Sequence, residues 1–165
     1  MTDMTDAIVN VNEKEAYLIV IAGEKIKRTK NNHQTLLLNL SVASGDIAGM
    51  TIWHNIMLVH ATNQVQTANW LLRAGRDLGQ MLGIQVGNLN PQKLKELRER
   101  GIAGEAFEAT LKVRNDEEYG TSIVLNQVIR HVTQDEVSEA LGLSDDIDFT
   151  DPTAVYSGMQ AGDVF

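Results

Sequence analysis

Lys25, Lys27, Arg28 and Lys30 place four positive charges within six residues. A run of this kind offers phosphate contact, because ammonium and guanidinium groups replace the counterions that a nucleic acid otherwise holds. Lys112, Arg114 and Arg130 offer the same chemistry further along the chain. Aromatic rings supply the other half of single-strand recognition, since every base has a face on which a ring can stack. Of the eight aromatic residues, Trp53 and Tyr119 are the stacking candidates. Trp53 alternates against the aliphatic residues around it, and Tyr119 follows the polar run Asn115-Asp116-Glu117-Glu118. Trp70 sits in a helical pattern and reads as packing.

Catalytic signatures are missing from the chain. It has no GxxxxGK[ST], GxSxG, HExxH or GxGxxG. It has no cysteine, which excludes a disulfide framework, a thiolate metal site and a cysteine nucleophile. Its four histidines are His33, His54, His60 and His131. His54 and His60 share a strand parity but would lie about 20 Å apart, six residues at roughly 3.3 Å each. One metal ion cannot span that distance. No enzymatic activity, cofactor or metal is expected.

The formal net charge of -8 argues at first against a nucleic-acid partner. Its distribution removes the objection. Residues 1–130 hold all 14 basic residues and 14 of the acids. The remaining eight acids lie in residues 131–165, which contain no Lys or Arg. A one-sign block of this kind reads as an interaction tail. Apolar anchors in an acidic context suit a basic-rimmed hydrophobic pocket on a partner. Asp145, Asp146, Asp148, Phe149, Asp163 and Phe165 are the candidate docking positions. The same charges can compete with DNA for the protein's own groove.

The elements that must position these residues are legible from periodicity. Tyr17 to Ile26 is dense in apolar and β-branched residues and predicts a first strand, with Gly23 as a bulge or bend. Residues 34–44 alternate with Leu36, Leu38, Leu40 and Val42 on one face, and residues 50–60 with Ile52, Ile56 and Leu58 on one face and Trp53, Asn55 and Met57 on the other. From 64 to 82 the period changes to that of an amphipathic helix, stopped by Gly83. Asn90-Pro91 opens a second helix that ends at Gly101. Residues 105–114 and 122–131 alternate again, and a short helix is expected from Gln134 to Leu141. The order is three strands, two helices, two strands. It predicts an all-β domain with a helical insertion between strands 3 and 4, namely a five-stranded OB-fold Greek-key barrel. In that fold the first turn and the last hairpin rim the binding face, where the Lys25–Lys30 cluster and Tyr119 fall.

The segments Tyr17 to Lys30, Leu36-Leu37-Leu38-Asn39-Leu40 and Gly45-Asp46-Ile47-Ala48-Gly49-Met50-Thr51-Ile52-Trp53-His54, with Arg28-Thr29-Lys30, Glu118-Tyr119-Gly120 and Asn126, resemble a family of bacteriophage OB-fold proteins. These are the single-stranded DNA-binding proteins of phage replication, recombination and repair modules. The resemblance covers residues 16–131. The tail is similar to the acidic tip, closing in phenylalanine, with which bacterial single-stranded DNA-binding proteins dock replication and repair enzymes. Here the Asp145–Phe149 version is internal and lacks a proline, and Gly162-Asp163-Val164-Phe165 has a single acid.

The expected organisation is therefore a flexible arm over 1–15, an OB-fold nucleic-acid-binding domain over 16–131 and an acidic, largely disordered tail over 132–165. The expected function is coating of single-stranded DNA with little sequence preference. Contacts would come from Lys25, Lys27, Arg28, Lys30, Trp53, Lys112, Arg114, Tyr119 and Arg130, with replication or recombination enzymes as partners of the tail. The alternative is an OB-fold adaptor that binds protein and not DNA. The polar opening residues and the lack of any long apolar run predict a cytoplasmic protein with no membrane partner.

Overall fold

Leu36, Leu38, Leu40 and Val42 are buried, and from Leu38 onward they alternate with the partly covered Asn39 and Ser41. This two-residue period fixes strand register, because a slip by one residue would turn the whole leucine row to solvent. In the computed structural model, which describes residues 11–118 and 120–140, that row belongs to β2 (Gln34–Val42). It pairs antiparallel with β1 (Tyr17–Arg28) on one side and β3 (Thr51–Val59) on the other. β4 (Ala106–Asp116) and β5 (Gly120–Val132) form a long hairpin, and β4 joins the start of β1. The result is one five-stranded antiparallel sheet in the order β3-β2-β1-β4-β5.

Each predicted strand is present, and the predicted faces hold except late in β5. There alternation puts Ile129 inward with Ile123 and Leu125, but Ile129 is exposed and Val128 packs on the core, beyond the register shifts in the β4–β5 ladder. The register of β1 on β2 shifts between Ile21 and Gly23, the bulge that an interior glycine allows. β3 and β5 approach one another, but no ladder joins them among the described residues, so the sheet is open between these two edges.

Two helices lie between β3 and β4. Helix α1 (Gln64–Leu82) begins at Asn63, whose side chain accepts a hydrogen bond from the Gln66 N–H. It ends at Gly83, held at φ 70°. It buries Ala74, Leu78, Met81 and Leu82 against the sheet. The next segment folds back along the helix so closely that a Cβ on Gly75 would sit 1.8 Å from the Gly87 carbonyl oxygen. The Leu89 N–H donates to the Leu71 carbonyl, and Lys93 Nζ donates to the Val86 carbonyl. Helix α2 (Pro91–Arg100) follows, with Asn90 capping it and Leu97 buried. The charge of this insert faces outward, and Arg98 closes onto Glu24 of β1 at 2.9 Å.

The described residues divide into two units, one ending at Thr133 and one beginning at Gln134. In the second, the described part is helix α3 (Gln134–Ala140), with Asp135 and Glu136 in the first turn, where the helix dipole favours acids. No described helix is long and apolar enough to cross a membrane.

Candidate nucleic-acid interface

Residues paired directly across antiparallel strands project to the same face of a sheet. The register therefore arranges the outward side of β1, β2 and β3 into rows. Gly23, Asn39 and Trp53 form one row, Lys25, Leu37 and Asn55 the next, and Lys27, Thr35 and Met57 the third. Two lysines and an exposed tryptophan thus share one face. Trp53 is 58% exposed, the most open aromatic ring among the described residues. By strand spacing, the Cα atoms of Lys25 and Trp53 lie about 12 Å apart, two strands across and one row along. The face has a polar floor. The Thr35 hydroxyl is buried and lies 3.0 Å from Asn55 Oδ1, to which it donates. Gly23 leaves open space beside Asn39 and Trp53.

The other expected contact residues have different settings. Arg28 is in register with Gln34, on the opposite face of β1 from Lys25 and Lys27, and its Nη1 donates to Asn32 Oδ1 at 3.3 Å. Lys30, at the β1–β2 turn, meets Glu118, at the β4–β5 turn, at 3.5 Å. This pair joins the tips of the two hairpins. Lys112 and Arg114 project outward from β4, in register with Val124 and Ser122, in the arm of that second hairpin. Arg130 lies elsewhere, in a row with Glu108 and Leu18, and its Nη2 holds Glu108 Oε1 at 2.6 Å. Tyr119 and the tail positions Asp145, Asp146, Asp148, Phe149, Asp163 and Phe165 lie outside the described residues.

Three rings form a cluster that periodicity does not announce. The His33 and His60 ring centroids are 4.3 Å apart, and each lies 5.1 Å from that of Trp70. His33 Nδ1 accepts from the Ala61 N–H, and His60 Nδ1 accepts from the N–H groups of Thr62 and Asn63. The rings therefore bolt the β1–β2 turn to the start of α1. The Trp70 ring is a packing group, as expected. The histidines are 27 residues apart, and nothing in local sequence signals their meeting.

A cleft of about 220 Å³ opens between β3 and α1. Consecutive residues from both faces of β3 line it, His54 and Ile56 together with Asn55 and Met57, so it runs along the free edge of the strand. From α1 it takes Trp70, Arg73 and Asp77. Burial pushes the Asp77 carboxyl up from its ordinary value, against the opposing pull of Arg76, His54 and Arg73. Burial likewise pushes the His54 imidazole down, against the Asp77 charge. No group of three or more metal-ligating side chains occurs among the described residues.

No family model and no curated protein matches this chain.

Proposed function

We propose that the chain is a single-stranded DNA-binding protein with an OB-type Greek-key barrel, of the kind found in phage replication and recombination modules. The observation that carries this reading is the Trp53–Lys25–Lys27 face, which combines an exposed ring on β3 with ammonium groups on β1 that have no carboxylate within 4.0 Å among the described residues. A base stacked on Trp53 leaves its flanking phosphates within reach of long lysine side chains. The strand order β3-β2-β1-β4-β5 supports the fold reading, because it is the order of such a barrel opened between its third and fifth strands. The Lys30–Glu118 contact supports it too, since the first and last hairpins flank the binding face in this fold. Backbone contacts and stacking carry little sequence information, so the DNA is coated broadly.

The tail's eight acids and two phenylalanines then serve to recruit a replication or recombination enzyme or to compete with DNA. Titration with labelled oligo(dT) across salt tests both parts. Full-length protein should bind, with log affinity falling against log salt by about 0.7 per phosphate neutralised. Truncation after Thr133, which keeps the buried Val132 of β5, should tighten binding if the tail competes, and leave it unchanged if the tail only docks a partner. Failure to bind at low salt would remove the DNA reading and favour a barrel that binds protein.

A further inference from the structure

The β3–α1 cleft continues the proposed DNA face. Asn55 and Met57, which line it, lie two and four residues beyond Trp53 on the same side of β3. Two residues of strand cover about 7 Å, close to the advance per nucleotide of an extended single strand. A strand that stacks one base on Trp53 therefore brings a neighbouring base to the mouth of the cleft. The polar groups there are of two kinds. Arg73 is a planar donor that can address two acceptors at once. Asp77, one helical turn away on the same side of α1, is an acceptor that can take two donors. The Asn55 amide oxygen is occupied by the Thr35 hydroxyl, which leaves its NH2 group to donate. Trp70 supplies a flat apolar wall, held from behind by His33 and His60.

We propose that this cleft takes a single guanine base of the bound strand. Guanine presents two adjacent donors, N1–H and the N2 amine, on the edge that a carboxylate can accept. It presents two acceptors, O6 and N7, to a guanidinium. Adenine, cytosine and thymine each lack at least one half of that pattern. The site rests on the single-strand reading above and adds to it a local base preference on an otherwise indifferent surface. Desolvation of Asp77 fits the role, because a partly dehydrated carboxylate gains more from incoming N–H donors than a solvated one.

The test compares oligo(dT) with oligo(dT) carrying one central dG, dA or dC, by anisotropy, against wild type, D77N and R73M. Wild type should bind the dG oligonucleotide about tenfold more tightly than the other three, as one well-made base contact provides. D77N and R73M should lose that preference, so that each binds all four oligonucleotides equally, whatever the removed charge does to the common affinity. Arg73 is exposed, so R73M reports even if D77N disturbs the fold. Equal affinity for all four oligonucleotides, with oligo(dT) binding intact, overturns the guanine site and leaves the single-strand reading standing. Absence of binding to every oligonucleotide at low salt overturns the reading and the site together. If free dGMP binds wild type but not D77N while the oligonucleotides show no preference, the cleft holds a free nucleotide and the assignment to the strand is overturned.

Discussion

Replacing Trp53 by alanine separates binding from folding. The ring is 58% exposed and projects from the outward side of β3, away from the leucine row of β2. A surface substitution of this sort changes stability by within about 0.5 kcal/mol. Stacking of one base on one ring is worth roughly 1–3 kcal/mol by alanine substitution. At about 1.4 kcal/mol per factor of ten, that predicts a loss of about five- to 150-fold in affinity for oligo(dT). The lower half of that range applies if the base also rests on the Asn39 and Asn55 side chains. Because Trp53 carries no charge, the slope of log affinity against log salt should stay constant. Lys25→Ala and Lys27→Ala should each reduce that slope by about 0.7 with a smaller loss of affinity at low salt. Anisotropy titrations at four or five salt concentrations, with thermal melts of each variant, give both quantities. An unchanged affinity of W53A, with the lysine variants also silent, would show that this face is not where DNA lies.

Three further outcomes follow from particular contacts. Gly75→Ala should destabilise the protein by about 1–3 kcal/mol or more, since the new methyl group would meet the Gly87 carbonyl at 1.8 Å; a urea melt checks this, and an unchanged midpoint would mean the 84–89 segment is not held against α1. Burial lowers the His54 pKa in the folded state, so the unfolded chain binds the proton first and stability falls as pH drops below about 6.5. His54→Gln should flatten that decline in melts from pH 7 to 5, and an identical profile would remove the assignment. Glu118→Gln should tighten oligo(dT) binding modestly, by up to a few-fold, because it releases Lys30 for phosphate; the pair is exposed on both sides, so melting should hardly move.

Periodicity was most informative where one face is buried and the other is not. The alternation of Leu36, Leu38 and Leu40 and the helical spacing of Leu71, Leu78 and Leu82 identify β2 and α1 because burial itself has that period. The exposed side of Trp53 follows from the same parity. Pairing across the sheet is another matter. That Lys25 and Lys27 share Trp53's face while Arg28 does not depends on the bulge at Gly23, whose exact register the sequence leaves open. By charge alone Arg130 reads as a groove residue, yet it faces Glu108, a partner 22 residues away in the chain. The His33–His60–Trp70 cluster and the β3–α1 cleft join elements through side chains with no repeating pattern, so no local signal could reveal either.

The same contacts explain how a body with no net charge can present a positive face. Arg98 pairs with Glu24, Arg100 with Glu105, Arg130 with Glu108 and Lys95 with Glu99. These pairs neutralise the insert and its surroundings. Lys25, Lys27, Lys112 and Arg114 have no carboxylate within 4.0 Å among the described residues. They lie on β1 and on the arm of the β4–β5 hairpin, and the turns of these two hairpins meet at Lys30 and Glu118. Neutral on balance, the body is thus divided into a paired region and an unpaired one. A phosphate sees the unpaired region, because a Debye length of about 8 Å at physiological salt screens the distant acids. An overall charge of -8 is therefore compatible with a DNA-binding face. Charge reversal separates local from global control: Lys27→Glu should weaken oligo(dT) binding far more than Lys95→Glu, although both change the net charge equally. Equal losses would mean that overall charge, and not the face, governs association.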